Sequence, residues 1–159
     1  MKLKAMAVAI AVAAGVITVA ALAQQRESDP AVEGLTVLGE AVMGQQIDLG
    51  HELYRENCAS CHGANLEGQD DWKRRLDNGR MPAPPHGETG HTWHHSDQDL
   101  FTITKLGVGA VVPGYGSDMP AFEGVLSDSE IQTVIAFIKS TWPERQTEFQ
   151  AKITAKKDK

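Results

Sequence analysis

The chain has 159 residues, 42% of them hydrophobic and 23% charged, with 15 lysines and arginines against 21 acidic residues and a formal net charge of −6. That length leaves room for one domain and excludes a multidomain enzyme, and the acidic balance excludes binding to nucleic acid through a basic face.

Lys2 and Lys4 precede an apolar run from Ala5 to Ala23, and Ala21-Leu22-Ala23 has the small-residue pattern of a signal cleavage site. Cleavage there starts the mature chain at Gln24, although the run is also just long enough to serve as an uncleaved membrane anchor. Either way the remainder is expected outside the cytoplasm. Without Lys2 and Lys4 that remainder carries −8, unevenly spread: residues 143–159 hold five basic and three acidic residues, leaving −10 on residues 24–142. Residues 24–46 read as an N-terminal extension and residues 143–159 as a charged tail. Such an acidic body is solvated surface, or a field that steers the protein toward a basic docking surface.

The first helix is predicted over Asp48–Asn57, with Leu49, Leu53 and Tyr54 on one side and Gly50 one turn before Tyr54. Gly50 costs about 1 kcal/mol relative to alanine in a helix, and close packing against a second helix is a reason to keep it. Cys58-Ala59-Ser60-Cys61-His62 follows. On a helical turn, residues three apart lie on one face, so two thiols can meet the two vinyl groups of one porphyrin and become thioethers. The adjacent histidine is then carried beneath the ring as an iron ligand. Three rival readings of the cysteines are weaker. A redox-active C-x-x-C wants a strand-rich setting that is lacking around Cys58. A zinc set of Cys58, Cys61, His86 and His91 is off the usual spacing. A plain disulfide leaves His62 without a role.

Residues 70–95 are predicted to be a charged loop, punctuated by Pro82, Pro84, Pro85, Gly87 and Gly90. Four of the six histidines fall at His86, His91, His94 and His95. They either cover a haem edge, with Trp93 packing and a histidine or Arg80 bonding a propionate, or hold copper or zinc. Ser96 and Asp99 form a capping pattern ahead of Leu100, Phe101, Ile103 and Leu106, and Gly107 ends that helix. The glycine-rich stretch to Gly116 leads to Met119-Pro120. Met119, far downstream of His62, is the best candidate for a sixth iron ligand; Met81 competes on local sequence, and Met43 is a third methionine. Ser127 with Glu130 caps a last main helix, stapled by Leu126 and Ile131 and striped by Ile131, Val134, Ile135 and Ile138 up to Pro143. Beyond it, the tail is either a short helix with Phe149 and Ile153 on one face or frayed. There is no internal repeat and no convincing run of strands.

Tyr54-x-x-x-Cys58-x-x-Cys61-His62-Gly63, the Met119-Pro120 loop and a helix ending near Trp142 together resemble the class I c-type cytochromes, small exported monohaem proteins, over residues 47–142. The resemblance implies an all-α, cytochrome c-like fold with three main helices and loops around one covalently bound haem c. It implies His62 and Met119 as axial iron ligands and Cys58 and Cys61 as the attachment points. It implies that the first helix crosses the last at a glycine, with Gly50 and Tyr54 facing Val134 and Phe137. It also implies a prolyl carbonyl, Pro84 or Pro85, bonded to the His62 ring. The function expected is one-electron transfer in the periplasm, between redox partner proteins such as an oxidase or dehydrogenase with a basic docking surface. Two alternatives stand beside it: an open iron site that binds ligands or turns over peroxide, and a haem subunit of a larger oxidoreductase.

Overall fold

The computed structural model describes residues 29–157. The expected signal segment, residues 1–23, lies outside the described residues. Two strands, β1 (Ala31–Val37) and β2 (Glu40–Met43), pair as a hairpin, and the helices that follow are α1 (Gly44–Asn57), α2 (Ala59–His62), α3 (Asp97–Leu106), α4 (Asp128–Ser140) and α5 (Glu144–Lys157). Single 3-10 turns occur at Thr92–His94 and Val108–Ala110. The three expected helices are present as α1, α3 and α4.

Among the described residues the most extensive contact between elements is that of α1 with α4, and glycine makes it possible. A Cβ on Gly50 would lie 2.3 Å from the Thr133 carbonyl oxygen and 2.8 Å from Phe137 Cβ. One turn on, Tyr54 is fully buried with its ring 5.4 Å from that of Phe137. The residue opposite Gly50 is thus Thr133 rather than Val134, which is buried in the same core. Leu49, expected beside Leu53 and Tyr54, is 52% exposed. The helix starts earlier than expected, at Gly44, and its buried line runs through Ile47, Gly50 and Tyr54; Leu49 stands about 100° around the helix from Gly50.

Local signals account for the helix ends. Ser96 Oγ accepts from Asp99 N–H at 3.1 Å to start α3. At α4, Glu130 N–H donates to Ser127 Oγ while Ser127 N–H donates to the Glu130 carboxylate, a reciprocal cap. Ile131, Val134, Ile135 and Ile138 are buried, as their spacing predicts.

The hairpin corrects the expectation of no strands. Leu35, Val37 and Val42 are buried by it, but Gly34 and flanking charges leave too short an alternation to read in the sequence. Its turn residues, Leu38 and Gly39, both have positive φ, 51° and 84°, which suits the twist of a two-residue hairpin loop. Leucine adopts this conformation at a cost, and Leu38 N–H is held by Asp97 Oδ2 at 3.0 Å.

The C-terminal helix docks by its polar face. Gln146 and Gln150 are buried whereas Phe149 is exposed, the reverse of the apolar face expected from Phe149 and Ile153. Gln150 Nε2 donates to Asp97 Oδ1 at 2.7 Å and to the His95 carbonyl at 3.2 Å. The partners that satisfy a buried amide lie far away in sequence, so periodicity could not reveal this face.

Candidate haem site

Cys58 closes α1 and opens the short helix α2, with Cys61 N–H and His62 N–H both donating to the Cys58 carbonyl at 3.1 and 2.9 Å. This single turn carries the two thiols and ends on His62. Cys58 and Cys61 form no disulfide. Burial, with Cys61 adding to it, pushes the Cys58 thiol up to about 11, the opposite of the lowered value a redox-active C-x-x-C requires. The zinc set is also absent: among the described residues no group of three or more His, Cys, Asp and Glu side chains is placed to hold a metal ion. His86 and His91 have other partners, as described below.

His62 is buried, and its Nδ1 lies 2.9 Å from the Pro84 carbonyl oxygen. A carbonyl only accepts, so Nδ1 carries the proton and the Nε2 lone pair is available to a metal. Of the two prolines expected to hold this ring, Pro84 does so. Its position is set by a laced pair of segments. Gly68 N–H donates to the His62 carbonyl at 2.7 Å, Gln69 N–H to the Ala83 carbonyl at 2.9 Å, and His86 N–H to the Leu66 carbonyl at 2.9 Å. The segments approach so closely that a Cβ on Gly68 would sit 2.5 Å from Pro85 N. Tyr54 Oη donates to the Gly63 carbonyl at 2.8 Å, joining α1 to the end of the histidine turn, and burial raises the phenol so that it stays a donor. Burial also lowers His62 below the ordinary histidine value, against the opposing Pro84 bond.

His86, read from the sequence as part of a haem-covering loop or a metal set, reaches the site in a role that reading did not assign. Its ring stacks on His62 with centroids 4.0 Å apart and planes 25° from parallel. Its Nδ1 is 2.8 Å from Thr92 Oγ1, and its carbonyl accepts from Trp142 Nε1 at 2.8 Å. Burial, with His62 and His91 adding to it, holds His86 well below the usual histidine range, so the stacked ring is neutral.

Met119, Met81 and Met43 are all half-buried, and of these Met119 packs against the hydrophobic core. The chain after it docks on the end of α3, with Phe122 N–H donating to the Thr104 carbonyl at 3.0 Å and Glu123 N–H to the Lys105 carbonyl at 2.9 Å. These bonds satisfy carbonyls that the helix end leaves open. Arg80 forms an ion pair with Asp118. The neighbours of Met81 and Met119 are therefore bonded to each other, and the guanidinium expected at a propionate is engaged with a carboxylate.

Residues 47–142 match the family model for cytochrome c. The chain belongs to the cytochrome c family. It is also 26% identical over 108 residues to the cbb3-type cytochrome c oxidase subunit CcoP of Rhodobacter capsulatus, an alignment covering 67% of this chain and 33% of that protein. The chain thus spans about a third of the length of this curated relative. No solved structure matches. Cytochromes c transfer electrons through covalently attached haem c, and the donor set here fits that group. Cys58 and Cys61 are uncommitted thiols one turn apart, and the adjacent imidazole has its second nitrogen already fixed by Pro84. No helix among the described residues is long and apolar enough to cross a membrane.

Proposed function

We propose that this cytochrome c is an exported one-electron carrier, its haem bonded to Cys58 and Cys61 and its iron held by His62 on one side and Met119 on the other. The observation that carries the reading is the His62 Nδ1 to Pro84 bond of 2.9 Å at the end of the cysteine turn, which presents Nε2 in one tautomer and one orientation. Bound here, haem c supplies a one-electron iron couple. The chain's own residues do the rest. The two cysteines prevent loss of the group, and Pro84 and His86 hold the proximal ring. A methionine on the other side raises the potential relative to a second histidine. Met119 is favoured over Met81 by its packing against the core, since a ligand held by packed neighbours moves little when the charge changes.

The partners are redox proteins, and the acidic body favours a basic docking surface on an oxidase or dehydrogenase, with encounter rates that fall as salt rises. The expected signal at residues 1–23 places this exchange in the periplasm or on the periplasmic face of the membrane. A second reading, a haem subunit of a larger oxidoreductase, is supported by the similarity to an oxidase subunit and uses the same chemistry.

The test is a visible spectrum of protein matured in a haem-attaching host, taken natively and after acid-acetone extraction. Haem retained through extraction, together with a far-red methionine-to-iron band that Met119→Ala abolishes and Met81→Ala leaves, is the expected result. Retained haem without the band favours an open or bis-histidine iron, and loss of the band only in Met81→Ala moves the ligand to Met81.

A further inference from the structure

The histidine-rich segment divides in two. His86 turns inward onto His62, whereas His91 and His95 bracket the 3-10 turn Thr92–His94 and face each other, Nε2 to Nε2, at 2.9 Å. Their ring centroids are 4.8 Å apart with planes 43° from parallel. The backbone fixes this separation. His94 N–H donates to the His91 carbonyl at 3.0 Å and His95 N–H to the Thr92 carbonyl at 3.1 Å, and the His95 carbonyl accepts from Gln150 on α5. His94 is turned aside, stacked on Trp93 at 3.7 Å with its Nδ1 on the His91 carbonyl.

We propose that His91 and His95 form a binding site for a divalent copper ion, held through the two Nε2 atoms with water in the remaining positions. A metal bonded to both nitrogens at about 2.0–2.1 Å subtends an angle of about 90° across a gap of 2.9 Å. That is a cis pair in a tetragonal ion, the geometry of Cu(II), which also leads the divalent series in affinity for imidazole. A tetrahedral zinc ion would require the rings to spread.

Without metal, the Nε2–H of one neutral ring donates to the Nε2 of the other; coordination requires that proton to shift to Nδ1 of its own ring, so no net proton is released. Partial burial, with the neighbouring cations adding to it, lowers both histidines below their ordinary value, which favours the neutral, ligating form near pH 7. The charged groups around them are Lys73 and His94 beside His91, and Asp99, His94 and Lys157 beside His95. Asp99 and Lys157 pair with each other, leaving Lys73 to oppose a cation. With two protein ligands the site exchanges its ion readily. Nothing in it depends on which residue is the sixth ligand of the haem iron.

The experiment uses the oxidised, haem-loaded protein, so that iron does not reduce the probe. The protein is dialysed to equilibrium against a low concentration of copper(II) sulfate, and bound copper is taken as the excess over the outer buffer. One copper per haem iron by elemental analysis is expected, with an electron paramagnetic resonance signal split by two imidazole nitrogens. His91→Gln and His95→Gln should each weaken copper binding about tenfold or more, since even the loss of an outer-shell partner costs that much, and His94→Gln should leave it unchanged. No copper in excess over the outer buffer, or copper bound equally by the His91 and His95 variants, overturns the proposal. The nitrogen splitting is read on the unsubstituted protein, so a copper signal lacking it overturns the proposal even where a variant does not fold.

Discussion

Lys139 and Asp97, 42 residues apart, form an ion pair of 2.5 Å with side chains only 4% and 2% exposed. Lys139 also donates to the Thr36 carbonyl at 2.6 Å, and Asp97 accepts from Leu38 N–H and from Gln150 Nε2. One buried pair thereby joins the hairpin, the start of α3, the end of α4 and the C-terminal helix. Burial pulls Lys139 below the ordinary lysine value, against the attraction of Asp97. Removing one member leaves the other charge buried without its counter-ion. Lys139→Met should cost about 3–5 kcal/mol in urea unfolding of the haem-loaded protein. The double variant with Asp97→Leu should lose less than the two single losses combined.

The approach of α1 to α4 makes a second outcome definite. Gly50→Ala gains about 1 kcal/mol of helix propensity, but its methyl meets the Thr133 carbonyl at 2.3 Å, a backbone atom that cannot step aside. A net loss of about 1–3 kcal/mol is expected. An unchanged urea midpoint would show that the helices are not in this contact.

His86 is expected to act on the iron through His62 rather than directly. His86→Ala removes the ring stacked at 4.0 Å, which frees the proximal imidazole to rotate, so the reduction potential and the spread of the ferric resonance g values should both change. His86→Phe, which keeps a stacked ring, should restore most of the unsubstituted spectrum. Thr92→Val, which removes the anchor of the His86 ring, should give a smaller change in the same direction.

The Arg80–Asp118 pair bridges the loops of Met81 and Met119, and both side chains are substantially exposed. Exposed pairs are worth about 0.2–1 kcal/mol, so Arg80→Gln or Asp118→Asn should ease displacement of the methionine by added imidazole by at most about fivefold. The loss should vanish at high salt, when the unsubstituted protein is weakened equally. Spectroscopic titration with imidazole at low and high salt measures both.

Glu130 is held below the ordinary glutamate value of 4.5, chiefly by its bond to the Ser127 hydroxyl. Its contribution to stability is complete above that value and disappears as pH falls through its lower folded one. Ser127→Ala should therefore flatten part of the acid side of a melting-temperature profile as pH falls below the ordinary glutamate value, where the unsubstituted protein loses this contribution.

The sequence by itself determined the chemistry and the local grammar. Cys58, Cys61 and His62 carry their meaning in spacing alone, because one helical turn is enough to present them. Ser127 with Glu130, Ser96 with Asp99, and the stripe from Ile131 to Ile138 are likewise interactions between near neighbours, which a linear pattern records. Only the tertiary structure decided what distant partners share. It decided that Pro84 and not Pro85 holds His62, that His86 stacks on that ring while His91 and His95 face each other, and that α5 buries glutamines instead of Phe149. It decided, too, that residues 31–43 form a hairpin tied to Asp97. For His62, Leu38 and Gln150 the deciding hydrogen bond reaches an atom 22 or more residues away, and a bond of that kind leaves no period in the sequence that contains it.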